Sequence, residues 1–135
     1  MSVLASSLKV GDTKELLLVD DLTRTQIVMY AGASGDYNPL HSDELYAREQ
    51  AGYPGVFAHG MLTMGMTGRL VTDLVGAANV TSFGGRFTSQ VFPGDTLTGK
   101  VVVDDVDGGV VKMTVTTTNQ DGVVVFAGQA TGNVV

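Results

Sequence analysis

The spacing of apolar residues changes along the chain. Between Met61 and Val75 they recur every four residues, which is the spacing of one helix face. The repeat consists of Leu62, Met66, Leu70 and Leu74, with Val71 and Val75 beside them. Arg69 and Asp73 fall together on the other side. We therefore predict an amphipathic helix over residues 61–75, buried at the centre of the fold.

Beyond Val80 the period becomes two. Val111, Met113 and Val115 alternate with polar residues, a pattern typical of a strand with one buried face. The segments Asp107-Gly108-Gly109 and Asp121-Gly122 are turn signals between such runs. The pattern predicts strands over about 80–91, 96–106, 110–119 and 122–132.

The first half of the chain is interpreted as helical or loop-like, after a short apolar stretch at residues 16–19. Thr23 is a predicted helix N-cap with Gln26 as its capping-box partner, and Leu22 and Ile27 are spaced for a hydrophobic staple. This helix should stop by residues 32–35, which leaves 36–42 in a loop that Pro39 keeps irregular. Residues 43–50 are predicted to form a short second helix.

A helix-rich first half followed by an antiparallel meander predicts an α+β domain, with a sheet wrapped around one long helix. The chain has 135 residues, enough for a hydrophobic core, and shows no repeat, linker or composition break. The prediction is one domain over residues 1–135.

Composition narrows the class of protein. Only 16% of residues are charged and 44% are apolar, which favours burial of some surface against a second subunit. The net charge of −6, without a basic run, argues against a nucleic-acid partner. There is no cysteine, so disulfides and thiolate sites are excluded. Residues 1–9 do not resemble a signal peptide, and no apolar run is long enough for a membrane span, so a cytoplasmic location is expected.

Both histidines of the chain lie in polar segments that contain glycine. Asp36 and His41 form a close carboxylate–imidazole pair, which can move protons near neutral pH because histidine titrates there. On spacing alone, an equally good interpretation is a loop in which Asp36 and Asn38 satisfy turn backbone and His41 packs against it. His59 is interpreted as a buried histidine bonded to backbone at a helix start.

Three motifs carry a resemblance to a known family. Residues 30–43 (YAGASGDYNPLHSD) resemble the hydratase-2 motif of the MaoC-like (R)-specific enoyl-CoA hydratases and (3R)-hydroxyacyl-ACP dehydratases. Residues 58–62 (AHGML) resemble the second signature, which opens the central helix, and residues 86–87 with 92–97 resemble a strand–turn–strand element. Within this family, residues 22–24, 30–32 and 59–65 are most similar to the B subunits of mycobacterial dehydratases.

The resemblance implies a hot-dog fold that pairs into homodimers or heterodimers. It also implies reversible addition of water to a trans-2-enoyl thioester of coenzyme A or acyl carrier protein, giving the (3R)-hydroxyacyl thioester without a metal or a redox cofactor. Asp36 is expected to be the water-orienting base and His41 its proton-transfer partner, although the reverse assignment stays open. Gly60, where the central helix begins, is expected to offer a backbone N–H to the thioester oxygen.

Other residues are assigned lesser roles. Asn38, Ser34 and His59 are expected to support the site, with Ser34 mainly in turn chemistry. Met61 and Met64 are most simply core residues that could also line an acyl channel. Arg86 is a candidate for a ligand phosphate, and a structural pairing on its strand is at least as good an interpretation. Small or flexible residues in this region predict room for more than a four-carbon chain; they include Ala33, Gly65, Gly68, Met61, Met64 and Met66.

Two other functions remain open from the sequence. An acyl-CoA thioesterase of the same fold would direct water at the thioester carbonyl. A non-catalytic subunit would complete the acyl channel of a partner, although the intact Asp36–His41 loop argues against this.

Overall fold

A computed structural model describes residues 7–134 of the chain and shows an α+β fold. One long helix, α2, packs against a five-stranded sheet, and a shorter helix, α1, precedes the loop with Asp36. The elements are β1 Thr13–Val19, α1 Arg24–Ser34, α2 Gly60–Val75, β2 Val80–Phe87, β3 Leu97–Asp107, β4 Val110–Thr118 and β5 Val124–Asn133. Single 3₁₀ turns lie at Pro39–His41 and Ala77–Asn79, and a π turn at Tyr46–Gln50.

All strand pairs are antiparallel, in the order β1-β3-β4-β5-β2. The β3–β4 connection is a two-residue turn in which Gly108 and Gly109 both have positive φ, 58° and 80°, as a type I′ hairpin requires. The sheet wraps around α2, which contacts every strand. This is the hot-dog architecture that the sequence predicted, and the four predicted strands lie within a few residues of β2 to β5.

The start of α1 follows the sequence prediction closely. The Thr23 hydroxyl accepts a hydrogen bond from the Gln26 N–H at 3.0 Å, and the Gln26 side chain accepts from the Thr23 N–H at 2.9 Å. Leu22 and Ile27 are both buried in one cluster. The helix ends at Ser34, and Gly35 takes the left-handed conformation at φ 76°. This cap delivers the chain into the loop that carries Asp36.

The central helix is present as predicted, but its most buried face is turned from the predicted stripe. Thr63 and Thr67 are 2% and 0% exposed, whereas Leu62 and Met66 are only partly buried. The Thr67 hydroxyl lies 2.6 Å from that of Thr117 on β4 and also donates to the Thr63 carbonyl. These bonds satisfy the hydroxyl of Thr67 on a buried face, which apolar periodicity cannot reveal.

Strand β1 is the element that the sequence interpretation missed. Leu16 and Leu18 face the core, but Leu17 between them is 55% exposed, so the run is apolar on both faces. The alternation that marks a half-buried strand is therefore absent from the sequence.

Among residues 7–134, no helix combines the length and the apolar character that crossing a membrane requires. The prediction that residues 1–9 are not a signal peptide falls mostly on residues 1–6, outside the described range. The extent of the domain over residues 1–135 stays a prediction.

Candidate active site

Asp36, His41 and His59 come together although they lie on two separate segments. One carboxylate oxygen of Asp36 and one nitrogen of each ring all lie within 4.8 Å of one another. Asp36 is exposed, while His41 and His59 are 8% and 2% exposed. A mobile water can therefore reach the carboxylate, and the two imidazoles are fixed behind it.

His41 is held in one orientation by a backbone carbonyl. Its Nδ1 lies 2.5 Å from the carbonyl oxygen of Phe57. A carbonyl oxygen only accepts, so Nδ1 is the donor and Nε2 of the neutral ring carries the lone pair. The ring of Phe57 packs edge-on against the imidazole, with centroids 5.3 Å apart.

His59 is oriented in the same way, but by the loop that carries Asp36. Its Nε2 lies 3.0 Å from the backbone carbonyl oxygen of Asp36, to which it donates. The ring of Tyr30 contacts it edge-on at 4.9 Å between centroids. His59 is thus a buried, backbone-bonded histidine at the start of α2, and its bond fixes the backbone at Asp36. Its Nδ1 is buried and has no hydrogen-bond partner among the described residues.

Ser34 and Asn38 shape the loop through side chain–backbone bonds. The Ser34 hydroxyl accepts from the Asp36 N–H at 3.2 Å, and the Asp36 carboxylate accepts from the Asn38 N–H at 3.3 Å. Asn38 in turn accepts from the Leu40 N–H at 3.0 Å and caps the 3₁₀ turn that carries His41. Both residues therefore hold the loop, in the manner of Asx and Ser turns.

The first turn of α2 presents backbone donors beside this group. Leu62 and Thr63 donate to the His59 carbonyl, whereas the Gly60 N–H has no acceptor in the part of the chain that the structure describes. A Cβ on Gly60 would lie 2.7 Å from the ring of Phe87, so glycine is required for this ring to cover the helix start. A helix N-terminus with a free N–H suits an oxygen that gains negative charge.

Two grooves flank the start of α2. The first, which we call the Thr63 groove, has a volume of about 320 Å³ and is lined by Gly60, Thr63, Phe87, Val91 and Val125, among others. The Thr63 hydroxyl is buried and has no hydrogen-bond partner among the described residues. An unsatisfied buried hydroxyl is costly, which suggests that a ligand or water completes it.

The second groove, the Gly65 groove, has a volume of about 510 Å³ and runs along the opposite side of α2. It is lined by Tyr30, Met61, Met64, Gly65, Gly68 and Phe83, among others. Met61 is 54% exposed, and both Gly65 and Ala33 are exposed. Three of the small and flexible residues that predicted a roomy channel are thus exposed, whereas Met64, Met66 and Gly68 are partly buried.

Arg86 is separated from this group. Phe83 and Phe87 on β2 contact α2, so strand alternation turns Arg86 to the outer face of the sheet. It lines a groove with Gly84, Gly85 and Gly128 that shares no residue with the two grooves at α2. Arg86 therefore does not lie beside the grooves at α2, where the predicted contact with a substrate would require it.

The three clustered side chains have the donor types of a metal site, but the ring geometry disfavours a shared ion. The His41 and His59 rings stack with centroids 3.7 Å apart and planes inclined by 24°. Imidazole binds a metal in the plane of its ring at about 2 Å, and two rings stacked face to face do not both point their nitrogens at one ion in this way. The arrangement suits proton transfer through water better.

Several site residues escaped the sequence analysis as functional groups. Phe57 acts through its backbone carbonyl, which leaves no signal in residue type. Thr63 carried a signal: His59, Thr63 and Thr67 recur every four residues, which puts three polar side chains on one buried helix face. Tyr30 was part of the quoted motif but had no assigned role.

Comparison with known proteins places this geometry in context. The model of the MaoC-like domain family matches residues 9–125. The chain is 49% identical over 82 residues to the 3-hydroxyacyl-thioester dehydratase Y of Mycobacterium tuberculosis. The aligned region covers 58% of this chain and 28% of that protein. The chain spans about a third or less of the length of the first curated relatives it matches.

Two solved structures extend the likeness over nearly the whole chain. The R-hydratase PhaJ1 of Pseudomonas aeruginosa superposes with a TM-score of 0.85 at 26% identity, covering 99% of this chain and 88% of the other. A chain of the ChsH1–ChsH2 complex of Mycobacterium tuberculosis superposes with a TM-score of 0.82 at 25% identity, covering 94% and 98%. With the family model matching most of its length, the chain belongs to the MaoC-like domain family.

Proposed function

We propose that the chain is a hydro-lyase that adds water to trans-2-enoyl thioesters, giving (3R)-hydroxyacyl thioesters, or catalyses the reverse dehydration. The observation that carries the proposal is the approach of Asp36 and His41 to within 4.8 Å, a distance that one water molecule can bridge. The named relatives, a thioester dehydratase and an R-hydratase, support the same reaction class.

The chemistry follows from the free acceptors of the pair. A water between them directs one hydrogen to the Asp36 carboxylate and the other to Nε2 of His41, and its oxygen attacks C3 of the enoyl group. The proton taken from the water is returned to C2, so atoms and charge balance over the reaction. Either Asp36 or His41 can be the group that carries it. The Gly60 N–H stabilises the thioester oxygen while the electron pair resides there.

We place the acyl chain in the Thr63 groove. Gly60 and Thr63 line this groove together with the apolar residues Val91 and Val125, and we assign the buried, unpartnered Thr63 hydroxyl to the bound ligand. One helical turn further along α2, the hydrogen-bonded pair Thr67 and Thr117 is fully buried, and we assign this pair as the floor of the groove. This placement favours short acyl chains over the longer ones that the small residues of α2 suggested.

A second hot-dog subunit is part of the proposal. Val28 and Met29 on α1 and Met61 on α2 are 53%, 67% and 54% exposed, which is much apolar surface for a chain with so few charges. A solved neighbour is the ChsH1–ChsH2 complex, one chain of which superposes on this one. The partner is a second copy or a related chain, and the cytoplasmic location expected from the sequence belongs to the same proposal.

The test is an assay of the purified chain with crotonyl-CoA and longer trans-2-enoyl-CoA substrates. Loss of the enoyl absorbance, with the (3R)-hydroxyacyl product identified by chiral chromatography, supports the proposal. Release of free thiol without hydration would instead favour a thioesterase. A chain that is inactive alone but active with a second hot-dog chain would favour a heteromeric enzyme.

A further inference from the structure

A carboxylate outside the clustered group, Glu44, joins three segments of the chain. Its Oε1 accepts from Nε of Arg24, at the start of α1, at 2.8 Å and also lies 2.8 Å from Nη2 of the same guanidinium. Its Oε2 accepts from the Val56 N–H at 3.3 Å and lies 3.5 Å from Nη2 of Arg48. The hydrogen bond from Arg24 lowers the pKa of Glu44; burial opposes this, and the Val56 N–H and both arginine charges add to it.

The carboxylate is fitted against backbone rather than free on the surface. A Cβ on Gly55 would lie 2.7 Å from Oε2 of Glu44, so glycine leaves the space that the carboxylate fills. Arg48 also donates from Nε to the Pro54 carbonyl at 2.9 Å. Residues 54–56 are therefore held on both sides by one ion-pair network.

This segment leads directly to the carbonyl that orients His41. Phe57 follows Val56, its N–H donates to the Leu40 carbonyl at 3.2 Å, and its own carbonyl accepts from Nδ1 of His41. If residues 54–57 shift, that carbonyl moves, and the proton of the neutral ring is no longer confined to Nδ1. The lone pair on Nε2 would then no longer be available at a fixed position.

We propose that Glu44 is a positioning residue that fixes the tautomer and the orientation of His41 through the backbone of Val56 and Phe57. The catalytic consequence rests on the proposed hydro-lyase function, whereas the effect on the imidazole does not. Glu44 lines neither groove at α2, so its effect should appear in turnover rather than in substrate binding.

The variants are Glu44→Ala, which removes the carboxylate, and Glu44→Gln, which keeps one acceptor oxygen at similar volume. The control is Asp73→Asn, which breaks the Lys14–Asp73 ion pair on α2. We expect Glu44→Ala to lower kcat by about 10- to 100-fold, since a small misplacement of a catalytic group has effects of that order, with KM nearly unchanged. Glu44→Gln should retain more activity, and Asp73→Asn should match the parent protein.

The decisive readout is the histidine ring itself. With two histidines in the chain, long-range ¹H–¹⁵N spectra of histidine-labelled protein contain two ring systems. The parent protein should show His41 protonated at Nδ1, and Glu44→Ala should show exchange between tautomers. An unchanged His41 tautomer in a folded Glu44→Ala, or an unchanged kcat, would overturn the proposal.

If Glu44→Ala does not fold, the same spectra of Glu44→Gln decide, because any weakening of the network should already broaden the His41 signals. Sharp Nδ1–H signals there, as in the parent protein, would refute the role. If the parent protein shows no hydratase activity, the proposed function fails. The tautomer comparison needs no substrate and still tests the positioning role.

Discussion

The imidazole of His41 stacks on that of His59, with centroids 3.7 Å apart. Each ring donates to one backbone carbonyl, His41 to that of Phe57 and His59 to that of Asp36. Each histidine is therefore anchored to the chain segment that contains the other histidine. The Asp36 loop and the start of α2 are therefore fixed to each other before any substrate enters. This preorganisation is what a proton-transfer pair requires.

The first prediction concerns Asp36 and His41, the proposed catalytic pair. Asp36→Asn and His41→Ala should each lower kcat by about 10²–10⁴, because each removes one acceptor for the bridging water. The measurement is loss of the enoyl absorbance with crotonyl-CoA, with circular dichroism to verify the fold. Asp73→Asn, on the far part of α2, is the matched control. Full activity in both site variants would refute the assignment.

The second prediction concerns the buried hydroxyl of Thr63. Thr63→Val keeps the shape but removes an unpartnered polar atom, so the free energy of unfolding should stay the same or rise by about 1 kcal/mol. Turnover should fall about tenfold, since we assign the hydroxyl to ligand or water binding. Chemical denaturation and steady-state kinetics measure the two effects. A loss of stability without a loss of turnover would show a structural role instead.

The third prediction decides which groove takes the acyl chain. The double variant Thr67→Ala/Thr117→Val opens the floor of the Thr63 groove and leaves neither hydroxyl of the pair behind. It should raise kcat/KM for an eight-carbon relative to a four-carbon enoyl-CoA. Gly65→Phe, at a position where a Cβ meets nothing within 4 Å, projects into the Gly65 groove and should leave that ratio unchanged.

If the chain-length preference instead changes with Gly65→Phe and not with the double variant, the acyl chain binds in the Gly65 groove. There Gly65→Phe would shorten the accepted chain, as the small-residue pattern of the sequence suggests. Gly68→Phe is a poorer probe, because a Cβ at Gly68 already lies 3.3 Å from the ring of Phe83.

The fourth prediction is a dependence of stability on pH. The folded-state pKa of Glu44 lies below the ordinary value of 4.5, chiefly because of the hydrogen bond from Arg24. Its ionised form therefore stabilises the fold fully above that value, and the contribution is lost as pH falls through the lowered pKa. The difference in unfolding free energy between the parent protein and Glu44→Gln should be constant near neutrality and shrink in acid. A difference that is independent of pH would contradict this.

The fifth prediction tests the second subunit. Met29→Lys places a charge on an exposed apolar part of α1 and should lower the sedimentation coefficient to that of a monomer. Val123→Lys is the control, at a residue that is 46% exposed in the β4–β5 connection. If the parent protein is already an active monomer at assay concentration, it needs no partner and the prediction is wrong.

The sequence predicted those parts of the fold that depend on local chemistry. The Thr23–Gln26 capping box, the stop at Gly35 and the Gly108–Gly109 turn each depend on residues adjacent in the chain. It could not predict β1, because Leu17 faces outward and removes the alternation. Nor could it separate Arg86 from the site, because the face to which a strand residue points depends on register.

In the candidate site, too, the sequence predicted the features that depend on residues close in the chain and missed those that depend on distant contacts. Asp36 and His41 were found as a pair, since they share one loop. The bond from His59 to the Asp36 carbonyl and that from His41 to the Phe57 carbonyl involve backbone acceptors, which residue types do not encode. The buried Thr63 and Thr67 lie beside the predicted apolar stripe; the Thr67 hydroxyl is satisfied by bonds that the sequence does not show, and the Thr63 hydroxyl has no partner among the described residues.

The bonds that assemble the site span short stretches of chain. His41 and Phe57 are 16 residues apart and Asp36 and His59 are 23 apart, whereas Thr13 on β1 pairs with Val102 on β3. Loop-closure entropy rises with the length of chain enclosed, so the segment from Asp36 to His59 closes at a lower entropic cost than the β1–β3 pairing. It can open and close as a unit of its own, and amide hydrogen exchange at Phe57 should then report local opening rather than global unfolding.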